Sequence, residues 1–338
     1  MKDSAVALIA TPGHRLAGDA PSVSPPVGDP DPLLIGRSPL MVELRRQLDR
    51  IADSSATVLV TGDTGTGKEL VARYLHAHSV RRNRAFIALN CAALPESLIE
   101  SELFGHARGA FTGANTSYKG KIQLAARGTL FLDEIGDMSG SAQARLLRFL
   151  ESGEIFPVGG MRAEKVDVRI VAATNQDLAE RVRQGVFRKD MYYRLNISRI
   201  EMPPLCQRRD DIDELVAHFL RSLEVRYRRR LRGVSPQLRR MLMQYSWPGN
   251  VRELKNVLES AALQADEETL EVHHLPSYVT AQVRTPEPLT EREMLCRALE
   301  QTHWNKSAAA QQLNWSRMTL YRKLAKYDLQ DRPGLRSQ

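Results

Sequence analysis

Between residues 33 and 204, short apolar runs alternate with amphipathic stretches. Runs at residues 57–61, 85–90, 130–132, 168–173 and 198–202 have the length and β-branched or aromatic content of buried strands. Helical patterns fall between them, as at residues 68–78 and 142–152. Strand–helix–strand repetition predicts a mostly parallel sheet covered on both faces. No strand pattern is read over residues 205–276. Ile212, Leu215, Val216, Phe219 and Leu223 recur there at helical spacing, which predicts a small helical subdomain. Arg226, Arg228, Arg229, Arg230 and Arg232 crowd its surface and read most simply as a solvated face. Before these regions, residues 1–32 are proline-rich and aperiodic, a flexible leader too short to fold alone. After them, residues 277–288 read as a linker, 289–330 as a basic helical domain and 331–338 as a tail.

Composition changes this picture little. A chain of 338 residues, 42% hydrophobic and 26% charged, has room for about two or three domains and a real core, which excludes global disorder. No apolar run approaches the roughly 18 residues of a membrane span, and no cleavage site follows the short run at residues 5–10. The scattered cysteines Cys91, Cys206 and Cys296 have no metal-ligand spacing and suit a reducing cytoplasm. A net charge of +8 favours a polyanionic partner such as nucleic acid, although many soluble proteins are basic for no specific reason.

Candidate chemistry changes it a great deal. Gly62, Asp63, Thr64, Gly65, Thr66, Gly67 and Lys68 fit the G-x-x-x-x-G-K template between a strand and a helix, the context that template requires. Glycines let backbone N–H groups approach phosphate oxygens, and a helix N-terminus adds partial positive charge. Lys68 is placed for the β- and γ-phosphates of ATP. Glu69 stands where most such loops carry Ser or Thr on Mg²⁺, which shifts the metal to Asp133. Asp133 and Glu134 end an apolar strand, at the edge that faces a phosphate crevice. Asp133 would hold Mg²⁺, usually through water, and Glu134 would polarise the attacking water. Asn175 ends the next strand, within reach of the γ-phosphate or of that water; a capping role is the other reading.

Three arginines are less decided. Arg188 and Arg194 could reach phosphate oxygens from a neighbouring subunit, but periodicity alone favours solvated surface arginines. Arg252 follows a Trp247, Pro248, Gly249, Asn250 turn in which Asn250 can cap the next helix. It could reach back to ATP or be an ordinary exposed arginine. Between the nucleotide motifs lie Gly109, Ala110, Phe111, Thr112, Gly113 and Ala114, an aromatic tip held between glycines and suited to touching another protein. Near the C-terminus, residues 305–313 and 316–327 form two helical patterns around a tight turn at Asn314 and Trp315. Ala308, Ala309 and Leu313 face Leu320 and Leu324, and Ser316 caps the second helix. With Ser316, the donors Arg317, Thr319, Tyr321, Arg322, Lys323 and Lys326 suit phosphates and base edges; a plain helical hairpin is the alternative.

These motifs together resemble the AAA+ activators of sigma-54 RNA polymerase, the bacterial enhancer-binding proteins. The stretches that carry the resemblance are residues 62–69, 89–94, 102–106, 109–114, 128–134, 187–195 and 247–254, with a Fis-type helix-turn-helix closing the chain. Glu69 agrees, since the family usually carries Gly-Lys-Glu there. The resemblance implies an AAA+ P-loop α/β ATPase over residues 33–204, a helical lid over 205–276, and ATP with Mg²⁺ as cofactors. It implies that Asn90 holds Glu134 and couples nucleotide state to the loop. It makes Arg188 and Arg194 fingers acting in trans within a hexameric ring, and Arg252 a second sensor. Phe111 and Thr112 become the tip that engages sigma-54, and dimers of the helix-turn-helix bind upstream activator DNA. The function implied is ATP-driven remodelling of a closed polymerase–promoter complex into an open one. A regulator of the same fold without remodelling activity, and a general AAA+ remodeller of other proteins, are the alternatives.

The chain departs from the family pattern in three places. Leu205, Cys206, Gln207 and Arg208 replace a charged Leu-Arg-Glu-Arg, which puts local salt bridging in doubt. Asn314 replaces the usual turn glycine, a substitution that still tolerates positive φ. The leader is too short for a receiver domain, so the chain resembles stand-alone members controlled by a separate regulatory protein or by expression.

Overall fold

The structure is a computed structural model that describes residues 34–111, 114–282, 291–302, 304–313, 315–327 and 329. The leader, Thr112, Gly113, Asn314, residues 283–288 of the expected linker and the tail lie outside the described residues. The chain divides into two units, one built from residues 42–202 and the other from 35–41 and 203 onward.

In the first unit, α1 (Pro39–Ala52, whose first three residues count with the second unit) precedes β1 (Val58–Thr61), α2 (Lys68–Ala77), β2 (Phe86–Asn90), α3 (Glu96–Phe104), α4 (Lys121–Leu124) and β3 (Thr129–Asp133). Then come α5 (Gly140–Ser152), the short strands β4 (Glu154–Ile155) and β5 (Glu164–Lys165), β6 (Arg169–Thr174), α6 (Leu178–Arg183), α7 (Lys189–Leu195) and β7 (Ser198–Glu201). The five longer strands form one sheet in the order β2-β3-β6-β1-β7, and every neighbouring pair is parallel. β6 is buried along its whole length and β3 over all but its last residue, as strands covered on both faces must be. Leu130, Leu132, Ile170 and Ala172 share one core with Leu146 and Phe149 of α5 and Phe187 and Met191 around α7. Since all five strands run the same way, their carboxyl ends lie at one edge, where ligands bind in such sheets.

One buried cation helps lock this unit. Arg169 opens β6 at 1% exposure and donates to the Ile51 carbonyl at 2.8 Å and to the Ala52 carbonyl. A guanidinium there meets the unpaired carbonyls and the negative dipole end of α1.

The second unit holds α8 (Ile212–Tyr227), β8 (Gly233–Val234), α9 (Pro236–Gln244), α10 (Asn250–Gln264), β9 (Thr269–Leu270) and α11 (Ser277–Gln282). Leu215, Leu238, Leu254, Leu258 and Trp247 form its core. Two expectations change here. A two-residue parallel ladder joins β8 to β9 where no strand was expected; pairs this short leave no periodic trace in a sequence. The stretch read as linker from residue 277 begins as α11, because Val279 is fully buried in the same core. At the altered 205–208 segment, Arg208 is 3% exposed and donates to Met41 Sδ at 3.0 Å. Asp211 beside it accepts from the Arg37 and Ser38 N–H groups and the Ser38 hydroxyl at 2.6–2.7 Å.

The remaining helices are α12 (Glu291–Gln301), α13 (Lys306–Gln312) and α14 (Arg317–Lys326). They enclose Leu295, Leu299, Ala309, Ala310, Leu320 and Leu324. The small face of α13 is therefore Ala309 and Ala310, one residue on from the expected Ala308 and Ala309. Ser316 caps α14 as expected, accepting from the Thr319 N–H at 3.1 Å.

Candidate functional site

β1 delivers the phosphate-type loop to the carboxyl edge of the sheet. Gly62 takes φ +147°, and α2 starts after Gly67 without a side-chain cap; the Leu70 N–H turns back to the Gly67 carbonyl at 3.0 Å, which leaves the Lys68 and Glu69 amides for an anion. Lys68 is 7% exposed and folds over the loop. Its Nζ donates to the Gly62 carbonyl at 2.9 Å and the Asp63 carbonyl at 3.4 Å, and lies 3.7 Å from Glu134 Oε1. The Thr66 hydroxyl closes the turn on the Asp63 carbonyl at 2.8 Å. Glu69 points elsewhere, pairing with Arg73 at 2.8 Å one helical turn on.

β3 delivers the acids. Glu134 leaves the strand at φ 49°, a sparsely populated conformation for a non-glycine residue that turns its side chain towards the loop. Glu134 Oε2 accepts from the Asn175 N–H at 3.1 Å, and Asn175 Nδ2 donates to Thr64 Oγ1 at 2.9 Å. Asn175 therefore spans from the loop to the acid, which favours the catalytic reading over a cap. Lys68, Thr64, Glu134 and Asn175 come together from three neighbouring strands.

Asp133 sits beside them, half-buried. Burial first, and then the Glu134 charge, raise its pKa, while Lys68 opposes the rise. Two adjacent, partly desolvated carboxylates suit a small hard cation, so the residues present fit Mg²⁺. Cys91, behind this edge, is pushed up to about 12 by burial and then by Asp133, Asp137 and Glu134, and is inert as a nucleophile.

Asn90 departs from the expected contact. It lies opposite Asp133 in the β2–β3 register, but its Oδ1 accepts from the Ala92 and Ala93 N–H groups at 2.9 and 3.1 Å. It makes no hydrogen bond to Glu134 among the described residues. The local turn satisfies its carbonyl first.

The aromatic-tipped loop follows α3. His106 bridges to Tyr118 and to Val158, so the base of the loop is stitched both to itself and to the segment between β4 and β5. The Gly109 N–H donates to the Ala114 carbonyl at 2.8 Å, and Ala114 is buried. Phe111 is 44% exposed, leaning edge-on against His106 with ring centroids 4.9 Å apart. The β4–β5 hairpin beside it carries Met161 at 98% exposure and Phe156 at 42%. Sequence reading missed this hairpin, whose only signal is an exposed methionine next to two glycines.

The arginines occupy separate places. Arg188 precedes α7 and forks onto the Asp190 carboxylate at 2.7 and 3.1 Å. Arg194 ends α7 and donates twice to the Leu150 carbonyl, at 2.7 and 3.2 Å. Arg252 is exposed near the start of α10 in the second unit. Asn250 does not cap that helix. It is buried, and its Oδ1 accepts from the Leu205 N–H at 2.8 Å; the Glu253 carboxylate takes the Gly249 N–H instead. On α14, Arg317, Tyr321, Arg322 and Lys326 are exposed, while Lys323 pairs with Glu291 of α12.

A second metal-type cluster fails on chemistry. Glu267, His273 and His274 bring one ligand atom each within 4.8 Å. His274 Nδ1 accepts from the Glu271 N–H at 3.0 Å, so the neutral ring carries its proton on Nε2, 3.2 Å from Glu267, and offers no lone pair to an ion. Among the described residues, no helix is long and apolar enough to cross a membrane.

Known proteins match this chain over nearly its whole described length. Residues 34–201 match the Sigma-54 interaction domain, 206–292 the AAA+ ATPase lid domain, and 288–327 the bacterial regulatory protein Fis family. The transcriptional regulatory protein ZraR of Salmonella typhimurium is 50% identical over 301 residues, covering 87% of this chain and 68% of that protein. The DNA-binding transcriptional regulator NtrC of Klebsiella pneumoniae is 41% identical over 355 residues, covering 95% and 76%. The crystal structure of NtrX from Brucella abortus in complex with ADP superposes with a TM-score of 0.71 at 30% identity, covering 88% of this chain and 70% of that one.

Proposed function

The chain belongs to the sigma-54-dependent transcriptional activators, whose sigma-54 interaction domain is an AAA+ ATPase, and from that premise we propose that it uses ATP hydrolysis to turn a closed polymerase–promoter complex into an open one. Lys68 and the first-turn amides of α2 bind the phosphates of ATP. Asp133 holds Mg²⁺, which neutralises phosphate charge when bound. Glu134 accepts a proton from the attacking water, and Asn175 orients that acid from the neighbouring strand. Phosphoryl transfer depends mostly on position and charge, which these residues supply.

Arg188 and Arg194 act on the site of the next subunit in a ring, for which a hexamer is the family's usual size. Arg252 reads the nucleotide from the lid. Asn90 couples nucleotide state to the loop by exchanging its local turn for Glu134. The loop at residues 109–114 then meets sigma-54 with Phe111 and Thr112 at its tip. α14 places Arg317, Tyr321 and Arg322 in the major groove of upstream DNA, as one half of a dimer on a two-fold site. The protein works in the cytoplasm, at upstream DNA.

One observation carries this reading: Glu134 stands 3.7 Å from Lys68 Nζ and 3.1 Å from the Asn175 N–H, an acid, a cation and an orienting amide gathered in the unit that also exposes Phe111. A DNA-binding regulator without remodelling activity would have no use for both. The test is Glu134→Ala in the purified protein. It binds ATP with near-normal affinity, releases no phosphate and opens no sigma-54 promoter. Normal turnover by that variant sinks the assignment.

A further inference from the structure

One fully buried amide connects the catalytic acid to the segment that ends in Arg188. Gln143 lies on α5 at 0% exposure, among Ala142, Leu146 and Leu147. Both polar atoms of its amide are directed to backbone. Nε2 donates to the Met138 carbonyl at 2.8 Å and to the Val186 carbonyl at 3.2 Å. Oε1 accepts from the Arg188 N–H at 2.8 Å. Met138 closes the short turn after Glu134: the Asp137 N–H donates to the Glu134 carbonyl at 3.0 Å, and the Met138 N–H to the Ile135 carbonyl at 3.3 Å. Val186 and Arg188 flank Phe187, a core residue at 2% exposure. A buried polar side chain with every group satisfied fixes one arrangement of the segments it joins.

We propose that Gln143 is a positioning residue for Arg188, holding the arginine's backbone in register with the turn that carries Glu134. The movement of that turn during hydrolysis in one subunit is thereby transmitted to the arginine offered to the next. The inference rests on the reading of Arg188 as a group acting in trans. A second link runs in parallel. Arg181 donates to the Gly136 carbonyl at 3.1 Å, and its own carbonyl accepts from the Val186 and Phe187 N–H groups at 3.0 and 3.1 Å. Loss of Gln143 therefore loosens the register rather than abolishing it. A misplacement on the order of 1 Å can cost up to about a hundredfold in rate.

The test is Gln143→Met, which keeps side-chain volume and removes the hydrogen bonds, in the full-length assembled protein. ATP turnover falls about ten- to a hundredfold, while the dissociation constant for a fluorescent ATP analogue stays within about twofold, because the hydrogen bonds of Gln143 go to Met138, Val186 and Arg188 and not to the phosphate loop or Lys68 of its own subunit. In an Arg188→Ala background the same change lowers turnover by less than about twofold, since the group it positions is already gone. Mixed assemblies give a second readout. Glu134→Gln subunits cannot hydrolyse but present an undisturbed Arg188, so mixing them with Gln143→Met subunits raises turnover per Gln143→Met subunit. If Gln143→Met does not fold, Gln143→Asn, a methylene shorter with the same amide, is put through the same measurements. Losses that multiply in the double variant, or mixing that restores nothing, overturn the inference while leaving Arg188 in place. Normal turnover by Arg188→Ala alone overturns the trans-acting reading as well.

Discussion

Two glycine-bearing loops leave the same parallel-sheet unit, and glycine serves a different end in each. At Gly62 the backbone has φ +147°, and a Cβ would lie 2.8 Å from the Met202 carbonyl oxygen. At Gly109 φ is +80°, and a Cβ would meet nothing within 4 Å among the described residues. The first glycine answers crowding as well as torsion, and the second answers torsion alone. The residues they present differ in the same sense: Lys68 is 7% exposed and Phe111 is 44% exposed. A loop that must enclose a small anion is packed from behind. A loop that must reach a large partner stands off, fastened at its base through His106 and Val158.

The sharpest way to break this contrast is to add one methyl group to each glycine and compare. Gly62→Ala meets backbone at 2.8 Å in a conformation that L-residues rarely adopt. We expect a loss of about 2–4 kcal/mol in stability and at least about a tenfold weaker nucleotide affinity. Urea denaturation and titration with a fluorescent ATP analogue measure the two. A stable, tightly binding Gly62→Ala variant would remove the crowding argument.

Phe111→Ala takes the opposite loop. Phe111 packs on His106, at the base of its own loop, so turnover stays within about twofold of the parent. Open-complex formation on a sigma-54 promoter is lost. If turnover and opening fell together, the loop would be part of the hydrolytic structure and the contrast would fail.

The core and the nucleotide edge were legible because each left a strong signal. Apolar runs mark β1, β3 and β6, and the phosphate loop has both spacing and context. What stayed hidden is polar structure whose partner is distant backbone. Gln143 occupies an apolar stripe of α5 and looks from sequence like one residue out of register; its partners are Met138, Val186 and Arg188. Asn250 has the composition of a cap, yet its amide is committed to Leu205, a pairing set by tertiary packing across 45 residues of chain. Asn90 shows the reverse case. Its expected partner came from resemblance, and the local competition of the Ala92 and Ala93 amides is an Asx turn that the short sequence around it permits.

A finer probe of the contrast separates torsion from space at residue 109. Gly109→Asn can adopt the left-handed conformation at little cost, so its melting temperature stays within about 2 °C of the parent. Gly109→Val must enter the same region with a β-branched side chain and loses about 1–2 kcal/mol. Equal losses for Asn and Val would mean that unseen crowding, and not torsion, selects glycine there.

The smallest effect expected is acid sensitivity at the foot of the exposed loop. Glu100 on α3 accepts from Arg145 of α5 at 2.7 Å, and Arg145 also donates to the Phe156 carbonyl of the hairpin segment at 2.7 Å. Burial alone would raise the Glu100 pKa, but the hydrogen bonds from Arg145 and Ser141 and the Arg145 charge outweigh it and leave the value lowered. A carboxylate whose folded pKa is depressed stabilises the fold above its unfolded value, near 4.5, and that contribution fades as pH falls through the folded value. The pair is about a quarter exposed, with side-chain exposures of 28% and 23%, so its contribution is about 0.5–1 kcal/mol and weakens with salt. Glu100→Gln therefore lowers stability at pH 7 by about that amount and makes little difference once pH has fallen below the folded value. The Glu100–Arg145 pair ties α3 to α5 and the hairpin segment, so the difference belongs there. Hydrogen exchange at pH 7 places it: faster exchange in Glu100→Gln confined to residues 96–106 and 154–158 supports the fastening, and uniform acceleration across the sheet speaks against it.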